Sequence, residues 1–377
     1  MGLRTRICEL LGIEHPIVLA GMGGASVPEL VAAVSNAGGL GVLGAAVCGP
    51  NQLRAWIRET RALTDRPFGV DTLLPASVRR QRPGPPGSPS PAERLPELQR
   101  FAERFLEREG LTVPPREELL RSAGIDERDL AGPPAFTKEF FEAQMEIVVE
   151  ERVPVYAAGL GDPGPWVERL HANGTRVMAV VGTVRHARKV AASGVDVIVA
   201  QGHDGGGHNS PIGALALIPQ VVDAAGGIPV LGAGGISDGR GVAAALVLGA
   251  EGAWVGSAFL ATPEAGLLDF QKQALIDASE EDTVISRALT GKPARMIRNR
   301  WAAAFVEAGV EPLPMPLQPL VAMPVLAAAR AAGRADVAPG FAGQGIGMVH
   351  ALRPAAEVLR DLVAGAEEAL ARAPSPP

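Results

Sequence analysis

Eight short apolar runs of strand length recur along this chain, and amphipathic segments ending at glycine separate several of them. The runs are 16–20 (PIVLA), 40–43 (LGVL), 68–72 (FGVDT), 153–157 (VPVYA), 176–180 (RVMAV), 195–200 (VDVIVA), 229–232 (PVLG) and 252–256 (GAWVG). Between them, 28–37 leads into Gly38-Gly39, 184–193 into Gly194, and 241–248 into Gly249. Glycine just past a periodic segment marks a helix end, because it takes the left-handed conformation at little cost. Strands alternating with helices imply a parallel sheet, and eight such units close most naturally into a (β/α)8 barrel. The rival is an open, doubly wound sheet, which would bind its ligand where the strand order reverses.

Composition supports one large domain or two modest ones, since 47% of the 377 residues are hydrophobic and 46 are glycine. A formal net charge of −6 without any strongly basic stretch argues against nucleic-acid binding, which needs clustered cations. Cys8 and Cys48 make no disulfide framework and no metal-ligand spacing, so no metal is expected and a reducing, cytoplasmic setting fits. The longest apolar runs are strand-length or interrupted, so neither a signal peptide nor a membrane span is expected.

Two segments depart from the simple barrel. The first, 76–134, is an insertion after the third strand. It opens with a Pro-rich connector, 81–91, followed by charged helical stretches at 92–110 and 116–123. Leaving the carboxyl end of a strand, it is expected on the site-bearing face as a lid, an arm for self-association, or a solvated excursion. The second, 263–340, reads as a small helical subdomain after the eighth strand, with helices at 267–278 and 324–332. The barrel is then 1–262 plus 341–377, its closing helix at 353–371.

The chemistry is expected at the strand ends. The sixth run stops at Gln201-Gly202, and a glycine cluster then closes on His208. A neutral imidazole over a cofactor ring would suit abstraction of an acidic carbon proton, and its ordinary pKa fits that task. His203 shares the turn as bystander or partner, and Asp204 is placed to orient a histidine or cap the turn. After the seventh and eighth strands come Gly234-Gly235 and Gly256-Ser257, which carry no acid or base. Bare amides and a hydroxyl at those two strand ends suit a phosphate. Gly21-Met22-Gly23 follows the first strand, where small residues and a soft thioether would sit beneath a flat ring. Asp71 near the end of the third strand is a candidate hydrogen-bonding partner for a cofactor.

With these residues in view, the chain resembles the nitronate monooxygenases, FMN-containing TIM barrels once called 2-nitropropane dioxygenases. The resemblance rests on HPIVLAGMGG (15–24), PFGVDTLLP (67–75), VRHARKVAASGVDVIVAQGHDGGGH (184–208), IPVLGAGGISDGRGVAAALVLGAEGAWVGSAFLAT (228–262), TGKPARMIRNR (290–300) and FAGQGIGMVHALRPAAEVL (341–359). It implies FMN held without a covalent bond, with its phosphate against Gly234, Gly235, Gly256 and Ser257. Gly21, Met22 and Gly23 would border the ring, and Gln201, Gly202, Gly206, Gly207 and Gln344 would lie near the flavin. His208 would be the active-site histidine, and nitronates, or nitroalkanes that it deprotonates, would be oxidised with O2. The pattern departs from the family's at Asp71, where an amide is usual, and at Asp204-Gly205, where Glu-Ala is usual. It departs again at His203, an added titratable ring, and at Ala258, where a larger residue is common. Related flavoenzymes share these motifs, so an NAD(P)H-dependent reductase of an enoyl thioester or quinone is the alternative. Nothing in the sequence sets the symmetry of a homo-oligomer.

Overall fold

The computed structural model describes residues 3–74, 89–118 and 127–372. Among them eleven strands, numbered here in chain order, form two sheets. The larger sheet comprises β1 (Ile17–Leu19), β2 (Gly41–Gly44), β3 (Phe68–Leu73), β4 (Val155–Leu160), β5 (Arg176–Val181), β6 (Val197–Gln201), β8 (Val230–Ala233) and β9 (Gly252–Val255). The smaller sheet comprises β7 (Gly207–His208), β10 (Thr283–Ser286) and β11 (Ala294–Ile297).

All pairings in the larger sheet are parallel, and β1 pairs with β9. The ring closes between β1 and β2: Leu19 N–H donates to Leu40 O at 2.8 Å, and Leu40 N–H donates to Ile17 O at 3.0 Å. This is the expected (β/α)8 barrel, and it excludes the open sheet, which would leave two free edges. Each of the eight apolar runs overlaps one barrel strand, with boundaries shifted by a few residues.

Alternation along the strands divides the core. Val18, Val42, Val155, Met178, Val197, Val199, Leu231 and Trp254 cluster in the bore with Ile7, Cys8 and Leu11 of helix Arg6–Leu11, which precedes β1 and plugs the amino-terminal end. Their neighbours Ile17, Leu19, Val70, Val177, Ile198 and Val255 face the outer helices. Those helices are capped locally: Thr183 accepts from His186 N–H, and Asp238 accepts from the amides of Arg240 and Gly241. The closing helix, Ala355–Ala371, packs on helices Gly239–Val247 and Pro28–Asn36, completing the outer ring. Gly239 permits that contact, because a Cβ there would stand 2.3 Å from Ala366 N. Cys8 and Cys48 are free thiols in different clusters.

Helices of the insertion and of the 263–340 segment pack on one another. Helix Pro91–Glu109 carries the capping box Ser90/Glu93 and packs against helix Gln318–Ala331. With helix Arg300–Glu307 they enclose a second core containing Leu98, Ala102, Phe105, Trp301, Phe305, Val321 and Val325. Trp301 is fully buried, and its ring centroid lies 5.0 Å from that of Phe105 and 4.9 Å from that of Phe305. Its indole N–H donates to Ala288 O at 3.1 Å. Glu109, nearly sealed, pairs with Arg300 at 2.8 Å and Arg334 at 3.1 Å. The apolar face of the 92–110 stretch is thus buried in this core. The connector's residues 81–88 and most of the 116–123 stretch lie outside the described residues. Asp129, farther along the insertion, accepts the amides of Asn51 and Gln52 and so caps helix Pro50–Leu63. The 263–340 segment also holds β10 and β11, which its helical reading did not anticipate.

Candidate functional site

Four adjacent barrel strands bring most of the candidate residues to one arc of the carboxyl-terminal rim. Gln201-Gly202 ends β6, Gly234-Gly235 follows β8, Gly256-Ser257 follows β9 and Gly21-Met22 follows β1, the order of their pairing. Gly202 N–H donates to Ala233 O at 2.9 Å, locking the first two turns together. Gly234 and Gly235 have φ of 100° and 71°, a succession that side-chain-bearing residues resist. Neither amide, nor that of Ser257, donates to any acceptor among the described residues. Ser257 Oγ accepts from Gly343 N–H at 2.8 Å, which leaves its hydroxyl hydrogen for another partner. Unused amides and a hydroxyl form a donor set that fits a phosphate, and the Asp204 side chain, which approaches Gly235, is turned to Ala214 N–H.

The space beside this cradle is bordered by small groups. A Cβ on Gly256 would sit 3.3 Å from Met22 Sδ, whereas one on Gly23 would meet nothing within 4 Å. Gly21 is required differently: its Cβ would fall 2.3 Å from Asp71 Cβ. Asp71 is 7% exposed, and its Oδ1 accepts Gly159 N–H at 3.0 Å. Burial holds its carboxyl well above the usual carboxylate range, only partly offset by that bond.

The loop after β6 is tightly drawn. His203 N–H donates to Ile212 O at 2.7 Å, and Gln344 N–H donates to Asp204 O at 2.9 Å. Asp204 Oδ2 accepts Ala214 N–H at 2.7 Å, at the start of helix Ala214–Ala224. Asp204 thus caps a helix rather than orienting a histidine. The His203 ring is engaged through Nδ1 with Ser210 O at 2.9 Å. Gly206 is needed because a Cβ would lie 2.7 Å from the Ala342 carbonyl carbon, so this loop abuts the 341–345 turn. Gln344 contributes its backbone to that junction while its side chain remains exposed. Ala258 is buried below the rim.

His208 itself sits in β7, which joins the smaller sheet: His208 pairs with Ala294, and Gly207 with Arg295, both on β11. Gln201 Nε2 donates to His208 O at 2.9 Å. His208 Nε2 lies 2.8 Å from Thr290 Oγ1. Burial first, and the charge of Lys292 second, push the imidazole pKa down to about 4. The ring is therefore neutral through the physiological range. Thr290, Lys292 and Arg295 were not singled out from sequence. Arg295 is 5% exposed, and it reaches His203 O at 3.2 Å and Thr283 Oγ1 at 2.9 Å, tying the loop to β10. Only the 290–300 match to the family pattern hinted at this stretch, because pairing across 82 residues leaves no local signal.

Comparison with known proteins agrees with this geometry. The nitronate monooxygenase family model matches residues 4–365. A Mycobacterium tuberculosis protein named "Putative monooxygenase Rv1533" is 40% identical over 96% of both chains. A Staphylococcus saprophyticus protein named "Probable nitronate monooxygenase" is 35% identical over 80% of both. Among solved structures, nitroalkane oxidase from Streptomyces ansochromogenes superposes with a TM-score of 0.76 at 32% identity, covering 96% of this chain and 98% of that one. FabK from Thermotoga maritima gives 0.73 at 31% identity, covering 98% of each.

Proposed function

The chain belongs to the nitronate monooxygenase family and is a flavin-dependent oxidoreductase, and from that premise we propose that it binds FMN and oxidises alkyl nitronates with O2 to a carbonyl compound and nitrite. The observation that carries this reading is the pairing of a bare-amide cradle, Gly234-Gly235 with Ser257, with a neutral His208 presented from the neighbouring turn. In this reading Gly234, Gly235, Gly256 and Ser257 hold the FMN phosphate. Gly21, Met22 and Gly23 border the ring, while Asp71, Gln201, Gly202, Gly206, Gly207 and Gln344 line the remaining flavin contacts. When bound, FMN supplies the electron transfer and the reaction with O2.

The protein's share is placement. Thr290 fixes the His208 ring through Nε2, leaving Nδ1 for substrate. An imidazole with a pKa near 4 stays unprotonated, yet it is a weak acceptor for a carbon-bound proton. That balance favours a pre-formed nitronate anion over the neutral nitroalkane. The charge of Lys292, felt at His208, favours the anion as well.

Anaerobic mixing of the FMN-loaded protein with ethylnitronate, and separately with NADH and NADPH, tests this reading. Rapid loss of the flavin's visible absorbance with nitronate, and none with the nicotinamides, is expected. Bleaching by NADH or NADPH alone would replace it with the reductase alternative.

A further inference from the structure

We infer that Asp71 serves as a neutral carboxylic acid whose Oδ2–H donates a hydrogen bond into the barrel mouth, to an acceptor atom of the flavin or the substrate. The inference rests on the proposed reading only for the identity of that acceptor. The geometry that carries it belongs to β3 and its neighbours.

The carboxyl is wedged between two glycines. A Cβ on Gly21 would stand 2.7 Å from Oδ2, and one on Gly159 would stand 2.4 Å from Oδ1. The acid thus fills the space that both glycines leave open, and it has little freedom to turn away. Its single hydrogen bond among the described residues is the Gly159 N–H at 3.0 Å. A buried carboxylate is stable as an anion when two or three donors or a cation compensate it, and here one amide is present. Among the described residues no Lys, Arg or His pairs with it. The neighbouring titratable group, Tyr156 on β4, lies on the outer face of the sheet, its hydroxyl 2.9 Å from Thr72 Oγ1. Burial of Asp71 disfavours its anion, and the charge such an anion would carry also pushes the Tyr156 hydroxyl up. The elements packed against the carboxyl at Gly21 and Gly159 offer only backbone.

The side that holds the proton follows from the bond already made. Oδ1 accepts from an amide and is the carbonyl oxygen, so the proton resides on Oδ2. Oδ2 has no partner among the described residues, and it is not sealed off. A fixed O–H donor at a strand end, beside Gly21 on the rim, is therefore available to whatever occupies the mouth.

Infrared spectra of protein labelled with carbon-13 aspartate read the protonation state without any turnover, with FMN absent or present. A label-sensitive protonated-carboxyl band is expected at pH 7 and should vanish in Asp71→Asn. The amide variant keeps a donor in the same place, so its FMN Kd and its KM for ethylnitronate serve as the reference for the donor's loss. Asp71→Leu should raise one of them by roughly tenfold, the scale of one lost hydrogen bond. A higher FMN Kd identifies the flavin as acceptor, and a higher KM alone identifies the substrate. Absence of the protonated band at pH 7 would overturn the inference, as would wild-type Kd and KM in the leucine variant. Should nitronate not be turned over at all, the band and the FMN Kd still decide the protonation and the donor role.

Discussion

The barrel and the second core contribute different halves of the candidate site. The barrel rim supplies backbone: amides of Gly234 and Gly235, a hydroxyl at Ser257, and glycines that keep space clear. The unit built from residues 91–111 and 288–338 supports the side-chain chemistry, because β11 pairs with the strand bearing His208 and Thr290 orients its ring. A rim of amides is a general anion site, whereas the smaller sheet determines which reactive group stands over it. This division teaches that cofactor binding and histidine chemistry should be separable by mutation, and the expected effects rank as follows.

His208→Asn should produce the largest change. Turnover of a neutral nitroalkane is expected to fall by roughly 10²-fold, the low end of a positioned base's usual contribution, because the imidazole is a weak acceptor. FMN content and oxidation of pre-formed nitronate should persist, as steady-state assays with both substrates would report. Loss of FMN in this variant would erase the distinction between the two regions.

Trp301→Ala strikes the second core alone. Removing a fully buried indole costs about 3–5 kcal/mol, and calorimetry should show a lower transition for this unit. Below that transition the barrel should still take up FMN, while turnover falls with the loosened smaller sheet. Simultaneous loss of FMN would mean that the two cores fold as one.

The pH dependence follows from His208. Its pKa drops from 6.5 to about 4 on folding, so the unfolded chain takes up the proton first as pH falls. The stability contribution is fully present above pH 6.5 and is lost between 6.5 and about 4, amounting to about 3 kcal/mol at most. Denaturant midpoints across that window should fall less steeply in His208→Asn. Equal slopes would argue that the ring is solvated in the folded protein.

Ser257→Ala removes one neutral donor from the cradle. FMN affinity should weaken by about three- to tenfold, and kcat should not change once the variant is saturated with FMN. Fluorescence titration of the FMN-free protein measures the first, and the saturated assay the second. An unchanged affinity would place the phosphate elsewhere.

The two regions also differed in how plainly the sequence announced them. Barrel strands such as 195–200 and 229–232 declare themselves through β-branched runs and glycine stops, because strand burial and helix termination are local properties. The rim glycines are legible for the same reason: they adjoin those stops. The second core joins Phe101 and Phe105 to Trp301 and Phe305, nearly two hundred residues away, and no local periodicity reports such a contact. Read alone, 92–110 was a charged helix with no visible partner and 263–340 a separate subdomain. The pairing of His208 with Ala294 and its bond to Thr290 were hidden by the same separation. His203 and Asp204 show the converse, since the sequence left a functional and a structural reading of both open. Adjacency to His208 does not decide between them, and the bonds to Ser210 O and Ala214 N–H match the bystander and capping alternatives.

The most direct test of the division is Thr290→Val, which removes the hydroxyl held at 2.8 Å from His208 Nε2 while nearly preserving volume. FMN affinity and nitroalkane turnover should be measured on the same preparation. An FMN Kd within about twofold of the parent, with turnover reduced roughly tenfold or more, is the predicted result, since one orienting hydrogen bond is lost and the cradle is untouched. Unchanged turnover, or a loss of FMN in step with it, would contradict the claim that the barrel holds the cofactor while the second unit aims the histidine.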